Sequence, residues 1–133
     1  MSEENVELTR RANDAFNRRD IDAILALADP GIEYFPRVLA LEGGGPYRGH
    51  EGFRRWWEGW LAIAPDFIGE VEDVRDLGDV AVAQVRLRGY GIGSGAEMEQ
   101  TLWQFAEWHQ KKCIRFHTFT SEAEALEAAG LSE

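Results

Sequence analysis

Val80-Ala81-Val82-Ala83-Gln84-Val85-Arg86-Leu87-Arg88-Gly89-Tyr90 is the stretch on which the fold turns. Ala81, Ala83, Val85 and Leu87 alternate with Val82, Gln84, Arg86 and Arg88, a period of two that predicts a half-buried strand. Residues 67–75 carry the same period and are separated from it by Gly78-Asp79, a tight hairpin signal. Beyond it, residues 89–95 hold four glycines and predict a hairpin tip. Residues 96–108 and 113–120 then make a second long hairpin. Pairing the strands around the glycine tip defines two faces. The first carries Ala81, Ala83, Val85 and Leu87 with Met98, Gln100, Leu102, Gln104 and Ala106, joined by Ile114, Phe116 and Thr118. The second carries Arg86 and Arg88 opposite Glu97 and Glu99, a cross-strand charge ladder, together with Trp103, Phe105, Arg115, His117 and Phe119. The first face is nearly all apolar, so helices pack on it. Gln100, Gln104 and Thr118 are then polar groups in an apolar concavity, where each needs a partner such as a ligand or water.

Upstream of the sheet the period is helical. Ser2 is placed to cap a first helix with Glu3 and Glu4 in its first turn and Leu8, Ala12, Ala15 and Phe16 on one face. Asp20 caps a short second helix that Asp29-Pro30-Gly31 stops, and residues 32–37 read as a strand. Gly43-Gly44-Gly45-Pro46 is a loop. A third helix over 50–63 presents Phe53, Trp56, Trp57, Trp60 and Leu61 as one broad apolar stripe, a pattern that buries a helix before it cages a ligand. One of its tryptophans, Trp57, is assigned to the pocket wall. Ser121-Glu122-Ala123-Glu124 is a capping box that opens a final short helix, closed by Gly130. The order predicts a single α+β domain over 1–133, a curved antiparallel sheet wrapped around helices with a pocket on its concave face.

Composition sets bounds. With 133 residues, 44% hydrophobic, the chain can bury one core. A net charge of −10 argues against nucleic acid and anionic membrane surfaces as partners. There is no apolar run of membrane-spanning length and no secretory pattern at the start, and the lone Cys113 has no internal thiol partner. These features predict a cytoplasmic protein. His50, His109 and His117 lack metal-ligand spacing, and the glycine runs lack the lysine of a phosphate loop, so no metal and no cofactor is expected.

Three stretches together resemble a known family: Phe16-Asn17-Arg18-Arg19-Asp20-Ile21-Asp22-Ala23-Ile24, Tyr47-Arg48-Gly49-His50-Glu51-Gly52-Phe53, and Ser121-Glu122-Ala123-Glu124-Ala125-Leu126-Glu127-Ala128-Ala129-Gly130-Leu131. Over essentially its whole length the chain resembles the SnoaL-like branch of the nuclear transport factor 2-like superfamily. His109-Gln110-Lys111-Lys112 departs from the Asp-Gly-Lys turn common before the last strand. The resemblance implies a conical, cystatin-like α+β barrel, a pocket between the concave sheet and the first and third helices, and homodimers through the convex face. Trp103, Phe105 and Phe119 would form that interface.

The superfamily hosts isomerases, polyketide cyclases, dehydratases, hydrolases and non-catalytic binders, so the site must decide function. The resemblance places the isomerase tyrosine at Ala12, its base, anchored on Pro36, at Phe35, and its acid at Gln104. It places the cyclase aspartate and histidine at Thr118 and Gln104. None of these titrates near neutral pH. Glu33 shares strand parity with Phe35 and is the remaining proton carrier if it faces the cavity. The simpler alternative has Ile32 and Tyr34 buried and Glu33 in solvent. His117 and Arg115 fall on the convex face, away from a cleft. The expected pocket therefore comprises Phe35, Trp57, Gln100, Leu102, Gln104, Phe116 and Thr118. Two readings stay open. One is a module that binds a small, largely apolar, oxygen-bearing molecule. The other is a cofactor-independent enzyme on a carbonyl or polyketide-like substrate, with Glu33 catalytic.

Overall fold

The computed structural model describes residues 2–35, 37–38, 41–42, 47–90 and 96–130. Helices α1 (Ser2–Asn17) and α2 (Ile21–Ala26) lead into strand β1 (Ala28–Phe35). Three two-residue strands follow, β2 (Arg37–Val38), β3 (Leu41–Glu42) and β4 (Tyr47–Arg48), then helix α3 (Gly49–Ile63). The chain continues through β5 (Ile68–Asp76), β6 (Val80–Gly89), β7 (Met98–His109), β8 (Lys112–Phe119) and helix α4 (Glu122–Ala128). Six strands make one curved, unclosed sheet in the order β4-β1-β8-β7-β6-β5, and β2 pairs with β3 alone. The fold is α+β as expected, with an open cone in place of a closed barrel. Pro36, the loop 43–46, the tip 91–95, Leu131 and the side chain of Ser2 lie outside the described residues.

The alternation in β6 sets the sheet's register. Ala83 stands opposite Gln104, Val85 opposite Leu102 and Leu87 opposite Gln100; across the next hairpin Gln104 faces Thr118 and Ala106 faces Phe116. One expectation fails. Glu107 pairs with Arg115 but Trp108 with Cys113, so Ile114 is the extra residue of a bulge. The bulge reverses parity at the start of β8 and turns Cys113 into the concavity where Ile114 was expected.

β1 also departs from its reading. It starts at Ala28 and carries Asp29-Pro30-Gly31 within an irregularity between Ala28 and Glu33, where Pro30 has no N–H to give a ladder. It runs parallel to β8, pairing Tyr34 with Phe116, so the sheet is mixed. The reason is topological: all of α3 and the meander intervene before the chain returns beside β1.

Helices α1 and α3 cover the concave face. Asp20 caps α2 by accepting from the Ala23 N–H at 3.1 Å, and Arg54 on α3 reaches Asp22 at 3.2 Å. Asn13 and Asn17 of α1 both donate to the Gly69 carbonyl, and Asn17 accepts from the Gly69 N–H. The clasp requires glycine, because a Cβ at Gly69 would sit 2.9 Å from Asn13 Oδ1 and 3.0 Å from Val85 Cγ1.

The convex face is partly covered by the chain itself. Ser121 caps α4 by accepting from the Glu124 N–H, and α4 packs on β6, β7 and β8 with Ala125 wholly buried. Val82 and Phe105, on the face away from the cavity, are 2% and 3% exposed. The aromatic patch expected there is thus reduced to the half-buried Trp103 and Phe119, because Phe105 is already buried within the chain itself. Arg86 binds Glu70 at 2.7 Å and also reaches Glu72 and Glu99; Arg88 reaches Glu70 and Glu97. The ladder therefore spans three strands.

Candidate functional site

A cavity of about 100 Å³ lies between the concave sheet and the helices. Helix α1 contributes Thr9, Ala12, Asn13 and Phe16, and α3 contributes Phe53, Trp56 and Trp60. Residues 53, 56 and 60 share one helical face, while Trp57 is turned 100° from Trp56 by the helical pitch. Trp57 is accordingly buried against Leu25, Tyr34 and Phe53, edge-on to Phe16 at 5.6 Å, and does not line the cavity. The sheet supplies the floor with Val85, Leu87, Leu102, Gln104, Ala106 and Phe116, and the bulge adds Cys113.

Of the residues expected from sequence, the structure brings Leu102, Gln104 and Phe116 together at the cavity. Gln100 shares their face opposite Leu87 but stands beyond the wall. Thr118 shares it too, and is wholly buried beneath the surface rather than open to the cavity. Phe35 and Glu33 do not reach it. Ile32 and Tyr34 turn inward, Phe35 stacks on His117 at 4.7 Å, and Glu33 pairs with Arg48 at 3.3 Å at the protein surface. The parity of β1 explains this correction: one strand face must meet Phe53 and Trp56, and the apolar pair Ile32/Tyr34 is the one that can. Sequence reasoning did not assign Tyr34, Trp56, Trp60 or Cys113 to the wall. The apolar alternation Ile32-x-Tyr34 was the available signal for Tyr34; the bulge that turns Cys113 inward left none.

The polar groups at the wall divide into those already engaged and those not. Thr9 accepts from Trp108 Nε1 at 3.2 Å and donates to the Asn5 carbonyl at 2.8 Å. Asn13 is held by Gly69, and the Cys113 thiol donates to the Arg115 carbonyl at 3.4 Å. By contrast, the Gln104 amide makes no hydrogen bond to a described residue. Behind it, the Thr118 hydroxyl has no hydrogen-bond partner; the Tyr34 hydroxyl is its electrostatic neighbour, near it but outside bonding geometry. Burial holds both titratable wall groups neutral: the Tyr34 phenol is pushed well above its usual range, and the Cys113 thiol up to about 12. No carboxylate, imidazole, ammonium or guanidinium stands among the described wall residues. No group of three or more metal-ligating side chains occurs among the described residues. What the arrangement offers is hydrogen bonding within an aromatic enclosure.

The sequence model of the SnoaL-like domain matches residues 9–116. No curated protein matches the chain. Among solved structures, a nuclear transport factor 2-like protein of unknown function from Burkholderia pseudomallei superposes with a TM-score of 0.79 at 17% identity, over 93% of this chain and 95% of that one. A putative SnoaL-like polyketide cyclase from Jannaschia gives 0.77 at 21% identity, over 96% and 92%. TerC, co-crystallised with polyporic acid, gives 0.77 at 18% identity, over 96% and 99%. At such identities these likenesses establish the fold. The family match spans the helices and strands that enclose the cavity, and with it the chain belongs to the SnoaL-like domain family.

Proposed function

We propose that this protein binds a small, uncharged, largely apolar molecule bearing one oxygen in the cavity beneath α1 and α3. The observation that carries the reading is Gln104: a carboxamide without a hydrogen-bond partner among the described residues, set in a wall of Leu102, Ala106, Phe116 and the α3 tryptophans. An amide left so is costly unless something else completes its hydrogen bonds. The volume fits one ring. An apolar cavity of roughly 150 Å³ admits benzene, and the present one is of that order. TerC's co-crystallisation with polyporic acid is in keeping with a small-molecule pocket on this fold. Among the described wall residues none exchanges a proton near neutral pH, which favours binding over acid–base turnover.

Titration of single-ring probes into ¹⁵N-labelled protein tests this, since Trp56, Trp60 and Trp108 all border the cavity. Millimolar or tighter binding that shifts their indole resonances is expected. A probe set that shifts none of them refutes it. The half-buried Trp103 and Phe119 are kept for a second copy of the chain on the convex face. Sedimentation at micromolar concentration should then show a dimer, and a monomer throughout would refute the assignment.

A further inference from the structure

A domain of this size ordinarily closes one continuous apolar core. Here the buried apolar residues divide into three groups, and the cavity touches all of them. The first is built around Ala106, Trp108 and Cys113, the second around Trp60, Leu87 and Leu102, and the third around Tyr34, Phe53 and Trp57. Half-buried Phe16 and Trp56 join the second to the third, and Phe116 joins the first to the third. Among the described residues, no apolar residue is shared by the first and the second. The cavity lies between those two. On β7, Leu102 belongs to the second group and Ala106 and Trp108 to the first, and Gln104 stands between them on the cavity face.

The wall is also long for its volume. It runs from Thr9 to Phe16 on α1 and from Phe53 to Trp60 on α3, about 10 Å along each helix, and from Leu102 to Trp108 on β7, about 20 Å of strand. A sphere of about 100 Å³ would be only about 6 Å across, shorter than either helical run, so the space is a slot. We infer that its ligand is an open chain with the oxygen near mid-length and an apolar arm toward each separated group: a dialkyl ketone or the matching secondary alcohol. The inference rests on the binding reading above and gives its ligand a shape, with the heavy-atom content of one ring, about six, drawn out in a line. The Gln104 amide suits either oxygen, since it donates to a ketone and accepts from an alcohol. The ends of the slot suit apolar arms. At one end the Trp108 N–H is spent on Thr9 and the Cys113 thiol on the Arg115 carbonyl. At the other, Trp60 Nε1 lacks a partner but is sealed beneath the surface, whereas half-buried Gln104 opens on the cavity.

Four probes of equal heavy-atom count separate shape from chemistry: pentan-3-one, pentan-2-one, 2-ethylbut-1-ene and cyclopentanone. The indole N–H resonances of Trp60 and Trp108 report the two ends of the slot. Pentan-3-one is expected to move both with one dissociation constant. It should bind about threefold or more tighter than pentan-2-one, and about tenfold tighter than 2-ethylbut-1-ene, which keeps its shape without the oxygen. Cyclopentanone should bind about threefold or more weaker than pentan-3-one and move at most one of the two indoles. Gln104→Leu should bring the two pentanones and the alkene within about threefold of one another. Pentan-2-one binding as tightly as pentan-3-one, or more tightly, would take the oxygen away from mid-length and overturn the inference. So would cyclopentanone matching pentan-3-one, pentan-3-one moving only one of the two indoles, the alkene matching the ketone, or a ketone preference that survives Gln104→Leu. In each of those cases the pocket reading stands. If no probe moves the indoles of Trp56, Trp60 or Trp108, the pocket reading falls and this inference with it.

Discussion

Gln104→Leu separates a residue kept for a ligand from one kept for the fold. Leucine retains the side chain to Cγ and ends in two methyl groups one bond short of the amide oxygen and nitrogen, so it removes the polar atoms with a small loss of volume. The amide has no hydrogen bond to a described residue, and a polar group unsatisfied in a fully buried site costs about 1–3 kcal/mol. Gln104 is half-buried, so cavity water recovers part of that cost, and roughly half remains to be gained on removal. The expected change is therefore a stabilisation of about 0.5–1.5 kcal/mol. For a domain of this size that is an increase in Tm of roughly 2–8 °C, read by circular dichroism and cross-checked by urea midpoints at unchanged m. Affinity for an oxygen-bearing probe should fall by about 1–3 kcal/mol in the same variant. The two signs must be opposite. A variant destabilised by more than about 1 kcal/mol would show that the amide holds the protein together and would refute the reasoning.

Trp57→Ala should cost about 3–5 kcal/mol, since its ring is packed in the core and the hole cannot collapse. A loss within noise in urea denaturation would refute the facing of α3. Cys113, buried and held as a thiol by a pKa near 12, should resist iodoacetamide at neutral pH in the native state and react promptly in denaturant; equal rates would contradict its placement. Glu70 has its carboxyl pKa lowered, first by the hydrogen bond from Arg86 and then by the charge of Arg88. A depressed folded pKa contributes stability that is present above the unfolded carboxylate value and is lost as pH falls through the folded one. Glu70→Gln should therefore flatten the acid limb of a Tm-against-pH curve, and an unaltered limb would remove Glu70 from the ladder.

The sheet was legible because it depends on a local period. Alternation over residues 80–90 and 98–107 names the buried face without any knowledge of the partner strand, and Gln104 opposite Thr118 follows from it. Asp20 and Ser121 were equally legible, since a cap needs only an acceptor a few residues ahead of its N–H. What sequence could not decide were contacts that alternation does not encode. In β1 two parities were open, and only packing against Phe53 and Trp56 chose Tyr34 over Glu33 and Phe35. In α3 the stripe was visible, but a stripe broader than the cavity does not tell Trp57 from Trp56 and Trp60. The bulge at Ile114 turned Cys113 inward through a one-residue offset between strands, which no period within one strand records. The packing of α4 on β6 and β7 joins segments distant in the chain. Local periodicity is written residue by residue, whereas the choice among faces belongs to the neighbour that arrives, and that neighbour exists only in the folded chain.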